Sequence, residues 1–133
     1  MRKIKFRGMN LCGKWVYGDL RHDRMCMSDG RLQQYISVCG EPIHPKSVGQ
    51  YTGLKDADGR EIYEGDIVEI SPQFSAKQGL KRKFHLPAVV RWDERLARFV
   101  VISKEILDSI PDSECVSVIG NVHDNPELLE VEA

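Results

Sequence analysis

The sequence predicts an all-β protein with a minor helix. The fold we expect is a small SH3-like barrel or roll, extended by an N-terminal β-meander and ending in a short C-terminal helix. Many short segments alternate between apolar and polar residues, which is the period of a strand with one buried face. Clusters of Gly, Asp, Asn, Ser and Pro separate these segments at intervals typical of small β folds. Signals for a helix are concentrated after Asn125.

The N-terminal third predicts a β-meander over residues 1–45. Ile4 and Phe6 alternate with basic residues, a turn follows, and the segment that begins at Lys14 predicts the returning strand. A second hairpin is predicted with residues 25–27 on one arm, 32–38 on the other and the turn Ser28-Asp29-Gly30 between them. Pro42 and Pro45 each lack a backbone donor and predict a linker before the second part of the fold.

The stretch from Gln50 to Ile70 organises the second part, an SH3-like portion over residues 48–133. Two sharp turns separate its strands, and short Asp side chains next to Gly are typical of such turns. We expect the Asp56 and Asp58 carboxylates to be solvated and the Asp66 carboxylate to accept hydrogen bonds from loop amides. The predicted structural turn motif comprises Gly53, Asp56, Asp58, Gly59, Gly65 and Asp66.

A long connection and a further hairpin follow. Val90 and Trp92 are predicted to share a face with Phe99 and Val101, since residues alternate between faces along each strand. One helical turn is expected over residues 105–110. The last strand spans residues 116–122 and is interrupted at Gly120 by a bulge or a close crossing. Asn125 and Pro126 are suited to a helix start, so a short helix is expected at the C-terminus.

Several of these motifs resemble those of the YopX family, small proteins of phages and prophages. Three parts of the sequence carry the resemblance: Tyr-Thr-Gly-Leu-Lys-Asp at 51–56 with Gly59 and Ile-Tyr-Glu-Gly-Asp-Ile-Val at 62–68; Val-Ile-Gly-Asn-Val at 118–122 with Asn-Pro-Glu-Leu-Leu-Glu at 125–130; and Met-Arg-Lys-Ile-Lys-Phe-Arg at 1–7. The resemblance implies a single YopX-like domain over residues 1–133 with SH3-like architecture. It also implies a phage or prophage protein that acts in the host cell.

No motif of the sequence indicates an enzyme, a cofactor or a metal site. Gly8 to Lys14 approaches a phosphate-binding loop, but Trp15 stands where the magnesium-binding Ser or Thr is required. Asp56, Asp58 and Gly59 are spaced like part of a calcium loop, but the acidic residues at its first and last positions are missing. Cofactors and metals are therefore not expected, and the protein is expected not to be an enzyme.

Composition and the lack of a secretory signal indicate a cytoplasmic protein, and the family resemblance implies that the cell is a bacterial host. The chain has 133 residues, 41% hydrophobic and 29% charged, with a formal net charge of −1. That charge predicts no general attraction to nucleic acid or to an anionic membrane, and no apolar run approaches the length of a membrane helix. Cys12, Cys26, Cys39 and Cys115 are irregularly spaced, and we expect them to be reduced and mostly buried.

Three functions remain open at this point. The first is a non-enzymatic accessory protein that binds a protein partner or self-associates through unpaired strand edges. The alternative is a nucleic-acid-binding protein that uses the basic loop 77–83, with Phe74 and Phe84 nearby for stacking. The third is an unrecognised hydrolase or metal-dependent enzyme. The candidate binding residues, for nucleic acid or for an acidic partner, are Lys77, Lys81, Arg82 and Lys83.

Overall fold

The computed structural model describes residues 3–71, 86–103 and 107–129. In this part of the chain the protein is all-β, with three antiparallel sheets and three short 3-10 helices. The chain forms two compact units, Met1–Tyr51 and Thr52–Ala133, and the boundary falls within one strand. The strands are β1 (Phe6–Met9), β2 (Trp15–Gly18), β3 (Leu20–Cys26), β4 (Leu32–Val38), β5 (Glu41–Pro42), β6 (Gly49–Lys55), β7 (Glu61–Tyr63), β8 (Asp66–Ile70), β9 (Leu86–Asp93), β10 (Arg98–Ile102), β11 (Leu107–Ser109) and β12 (Val116–Asn121).

The first unit contains two antiparallel arrangements. β1 pairs with β2 on one side and with the start of β6 on the other. β3, β4 and β5 form a second sheet with β4 in the centre. Both predicted N-terminal hairpins are confirmed, because they depend on local alternation and on turn residues that lie between the arms.

The segment that contains Pro42 and Pro45 belongs to the first unit, so the linker predicted there is not observed. Pro42 lies in β5 and is paired with Ser37, and Pro45 begins a 3-10 helix at Pro45–Ser47. Ile43 between them is buried, and its side chain occupies the space that a side chain at Gly8 would need. Pro is compatible with this position because β5 lies at the edge of its sheet.

The second unit is built on a five-stranded sheet in the order β11-β10-β9-β8-β12. The predicted pairing across β9 and β10 is confirmed, with Trp92 opposite Phe99 and Val90 opposite Val101. The two aromatic rings meet edge to face at 5.0 Å, and Trp92 remains 45% exposed. The predicted irregularity at Gly120 is also confirmed, because the register between β12 and β8 shifts between Val118 and Gly120.

An aliphatic cluster forms the core of the second unit. Its members are contributed by β7, β8, β9, β10 and β12, so strands far apart in sequence bury their apolar faces together. Burial of aliphatic side chains of this size is the main stabilising contribution in a domain of this length. The cluster consists of Ile62, Val68, Ile70, Ala88, Val90, Val101 and Val116.

Three further expectations about the fold differ from the structure. The helical turn predicted for 105–110 is wrong for residues 107–109, because Leu107–Ser109 is strand β11 and pairs with β10. In place of a regular C-terminal helix, Pro126–Leu129 forms a short 3-10 helix. Within the described residues no sheet closes on itself into a barrel. None of the helices described in this structure is long and apolar enough to cross a membrane.

Candidate functional site

The predicted turn motif lies in the second unit and has the backbone geometry that its glycines favour. Gly53, Gly59 and Gly65 have φ angles of +87°, +81° and +92°. L side chains rarely adopt this region, whereas glycine enters it without steric cost. Gly65 is held further by two backbone hydrogen bonds, donating to Val90 at 2.9 Å and accepting from Val122 at 2.9 Å.

Asp56 is buried at the base of the turn between β6 and β7, so the expectation of a solvated carboxylate is wrong for this residue. Its side chain is 3% exposed. Oδ1 accepts hydrogen bonds from the backbone N–H groups of Asp58 at 2.9 Å and Arg60 at 2.8 Å. Oδ2 accepts from the N–H of Val118 at 2.9 Å and thereby connects the turn to β12. Asp58 is exposed, as expected.

These contacts set the charge state of Asp56. Burial by itself raises the pKa of the carboxyl group. Hydrogen bonds from the N–H groups of Val118, Arg60 and Asp58, together with the positive charge of Arg60, outweigh burial and lower the pKa below its ordinary value of 3.8. The carboxylate is therefore ionised at neutral pH and fully engaged by backbone donors.

Asp66 has a comparable position in the turn between β7 and β8. It is 2% exposed, and its Oδ2 accepts a hydrogen bond from the N–H of Tyr63 at 2.8 Å. The chain reverses there through Gly65, so the carboxylate connects the start of β8 to the end of β7. The turn motif is thus arranged to hold strands together rather than to present carboxylates to a ligand.

The basic residues predicted to bind nucleic acid or an acidic partner lie outside the described residues. They are Lys77, Lys81, Arg82 and Lys83. Within residues 3–71, 86–103 and 107–129, no group of three His, Cys, Asp or Glu side chains is placed to hold a metal ion.

The cysteines are free in this structure, but most of them are not buried. Cys12, Cys26 and Cys39 are exposed, and only Cys115 is buried. The expectation of mostly buried thiols is therefore wrong. Three of the four side chains lie in the turns and the hairpin of the first unit, where the sheets are too small to cover them.

The open edge of β3 is the surface in the first unit that is best suited to binding. β3 is seven residues long and is paired only with β4 among the described strands. An edge strand of this length presents a row of backbone N–H and C=O groups to which another polypeptide strand can pair.

The hydrogen bonds at the two ends of the β3–β4 ladder show which backbone groups face outward. Met27 N–H donates to Arg31 at 2.7 Å, and Cys39 N–H donates to Asp19 at 3.1 Å. In an antiparallel pair, hydrogen-bonded and non-hydrogen-bonded residue pairs alternate along the strands. Asp19 and Met27, at the two ends, are both odd-numbered and hydrogen-bonded. The odd-numbered residues of β3 between them are therefore the ones that form hydrogen bonds with β4. The residues that direct their backbone groups toward the open edge are Leu20, His22, Arg24 and Cys26.

The same four residues place their side chains on one face of the hairpin, since side chains also alternate with period two. Their partners on β4 are Leu32, Gln34, Ile36 and Val38, so this face carries no acidic side chain. We call it the groove face. An open groove of about 460 Å³ lies against the hairpin and is lined by His22, Asp23, Arg24, Gln34, Tyr35, Ile36 and Pro45.

The acidic residues of the hairpin lie on its other face or in its turn, and each has a basic partner. Asp23 accepts a hydrogen bond from Ser37 Oγ at 2.9 Å and forms an ion pair with Arg21 at 3.3 Å. Asp29 forms an ion pair with Arg31 at 2.6 Å. Arg24, by contrast, has no ion pair or hydrogen-bonded side chain within the described residues.

The sequence contains a signal for this surface that our prediction did not use. Residues 20–26 read Leu-Arg-His-Asp-Arg-Met-Cys and show no sustained apolar alternation, which is typical of a strand exposed along its length. That β3 lies at an edge depends on the strand order, which local pattern does not determine.

Comparisons with known proteins agree with the fold. The family model described as YopX protein matches residues 5–130, nearly the whole chain. Among solved structures, the chain is similar to protein EF1440 from Enterococcus faecalis, with 21% sequence identity, a TM-score of 0.56 and coverage of 97% of this chain and 99% of that one. Likeness at this identity concerns the fold alone. No match was found among curated proteins.

Proposed function

The chain belongs to the YopX family, and we propose that it is a non-enzymatic protein-interaction module that binds a partner by strand addition to β3. The observation that carries this proposal is the open edge itself. Four residues of β3 direct both backbone hydrogen-bonding groups away from β4, next to a groove of about 460 Å³. Main-chain hydrogen bonds would supply affinity, and side chains on the groove face would supply selectivity.

The biological setting that we propose follows from the family. The resemblance to YopX proteins supports a phage or prophage accessory protein acting in the bacterial host cytoplasm. The buried carboxylates of Asp56 and Asp66 support a structural rather than a catalytic assignment, because backbone N–H groups engage them.

We also propose a relationship between the second unit and SH3-like rolls. Its support is the order of elements, in which the Gly65 reversal leads into β8 and a long connection leads to the β9–β10 hairpin. In this proposal the binding edge belongs to the first unit.

Site-specific photo-crosslinking in bacterial cells tests the proposed function. A photoreactive amino acid at position 24 lies on the groove face beside the open edge, and the same group at position 21 lies on the opposite face. We expect a defined crosslinked protein from position 24 and none from position 21. The captured protein, once purified, should bind the chain directly and should bind the His22→Pro variant at least tenfold more weakly.

His22→Pro is informative because it removes an N–H that faces the open edge. Pro is tolerated in an edge strand where its nitrogen faces away from the paired strand. The matched control is Arg21→Pro, which removes a donor to β4 and should reduce stability instead. Equal crosslinking from positions 21 and 24, or unchanged binding by a folded His22→Pro variant, would contradict binding at this edge.

A further inference from the structure

The groove face of the β3–β4 hairpin carries positive charge without a neutralising partner. Arg24 is exposed and lines the groove beside His22 and Gln34, and its side chain has no partner among the described residues. Asp23 also lines the groove, but its carboxylate forms an ion pair with Arg21, and Asp29 forms an ion pair with Arg31. A carboxylate brought to this face would therefore find an available guanidinium, which is well suited to bidentate binding of such a group.

The groove also has an apolar part. Ile36 and Pro45 line it, and Ile36 is half-buried. An occupant that contacts the whole groove would combine an acidic side chain near Arg24 with an apolar side chain near Ile36. Side chains of an added strand that project to one face are spaced two residues apart, which matches the spacing of His22 and Arg24 along β3.

Pairing of β3 with a second copy of itself is disfavoured by the same charges. Two antiparallel copies related by a twofold axis would place both groove faces on the same side of the joined sheet. The two Arg24 side chains would then lie on the same face of neighbouring strands, where like charges are destabilising. The edge is thus better suited to a different segment that carries negative charge.

We propose that the groove face recognises an extended acidic segment of a partner protein, which pairs with β3 and places a carboxylate side chain on Arg24. This proposal rests on the proposed function, since it names the kind of segment that strand addition would accept. Gln34 donates a further hydrogen bond to the same carboxylate, and Ile36 and Pro45 contact an apolar neighbour in the segment.

Binding of synthetic peptides to the full chain tests this selectivity. The probe is a fluorescein-labelled peptide as long as β3 with Thr at every second position and, in turn, Glu and Val at the positions between, so that Glu and Val share one face. Its matched control has Lys in place of Glu. A third peptide keeps the Glu side chains but has alternate backbone nitrogens methylated, so that one edge cannot donate hydrogen bonds. Fluorescence anisotropy at low salt measures the three dissociation constants.

We expect the Glu peptide to bind at least tenfold more tightly than the Lys peptide. Arg24→Glu should weaken binding of the Glu peptide at least tenfold and improve binding of the Lys peptide. Arg98→Glu is the control with the same charge change, at an exposed residue of β10 that does not line the groove. It should alter either dissociation constant by less than about threefold.

The outcomes separate this inference from the proposed function. Equal binding of the Glu and Lys peptides, with loss of binding on methylation, would overturn acidic selectivity and leave strand addition standing. Selectivity for Glu that methylation does not affect would overturn strand addition and leave carboxylate recognition at Arg24 standing. Failure of both peptides to bind would overturn both.

Discussion

The carboxylate of Asp56 accepts a hydrogen bond from the backbone N–H of Val118 at 2.9 Å, although 62 residues separate the two in sequence. Arg60 reinforces the same connection, since its guanidinium donates to the carbonyl oxygen of Val118 at 2.8 Å. The turn between β6 and β7 is thereby attached to the last strand at the point where β12 changes register.

Asp56→Ala should reduce the free energy of unfolding by about 2–4 kcal/mol, because it removes a buried acceptor from three backbone donors. Urea denaturation measures the change. Asp58→Ala is the matched control on the same turn, where an exposed ion pair with Arg60 at 3.7 Å is lost, and it should cost less than about 1 kcal/mol. Equal effects of the two substitutions would contradict the role of Asp56.

The lowered pKa of Asp56 predicts a pH dependence of stability. In the folded protein the pKa of Asp56 lies below its ordinary value of 3.8. The contribution of this carboxylate to the free energy of unfolding is therefore complete above the pKa of the unfolded state, and it is lost as pH falls through the pKa of the folded state. We expect stability to decline below about pH 4, and Asp56→Asn to show a shallower decline there. If the Asp56→Asn variant followed the wild-type curve, the Asp56 carboxylate would not be the group that titrates.

Gly59→Ala should destabilise the protein by about 1 kcal/mol. The φ angle of +81° disfavours an L side chain, and no atom lies within 4 Å of the added methyl group, so the cost is conformational. Gly59→Asn should cost less, because Asn tolerates this region better than Ala does. A melting temperature for the Gly59→Asn protein that is no higher than that of the Gly59→Ala protein would contradict this explanation.

Gly120→Ala should be costly for a different reason. A methyl group there would lie 2.6 Å from Asn125 Oδ1 and 2.9 Å from Leu128 Cδ1, so the segment that follows β12 must move. We expect a loss of about 1–3 kcal/mol, the range for overpacking. Combining it with Asn125→Ala should give less than the sum of the single effects, because one of the clashing groups is then absent. Strict additivity would show that the two residues do not meet.

Thiol titration should distinguish Cys115 from the other cysteines. Three groups should react with a thiol reagent in the native protein, since Cys12, Cys26 and Cys39 are exposed, and the fourth should react only on unfolding because Cys115 is 4% exposed. The Cys115→Ser variant should show three reactive groups in both states. Four rapid reactions in the native wild-type protein would contradict the burial of Cys115.

Local patterns predicted much of this fold. The hairpins β1–β2, β3–β4 and β9–β10 each consist of neighbouring segments whose alternation and turn residues specify the pairing. The family resemblance was confirmed over residues 5–130. Gly120 was predicted to interrupt the last strand, because a glycine among β-branched strand residues often marks a bulge or a close crossing.

Features that depend on distant contacts were missed. The burial of Asp56 requires β12, and turn chemistry alone predicts a solvated carboxylate. Leu107–Ser109 is a strand because it pairs with β10, and that pairing overrides a weak local helical preference. The candidate site was missed for the same reason. Strand order decides whether β3 lies at an edge. Only when the order is known does it follow that His22 and Arg24 direct their backbone groups toward that edge.

Amide hydrogen exchange of the full chain, followed residue by residue by NMR with and without the Glu peptide, tests strand addition at β3 most directly. In the free protein, the amides of Arg21, Asp23 and Met25 should exchange slowly because they bond to β4, and those of His22, Arg24 and Cys26 should exchange fast. With the peptide bound, we predict at least tenfold slower exchange at His22, Arg24 and Cys26. Exchange that remains fast at these three amides while the peptide is bound would contradict the account.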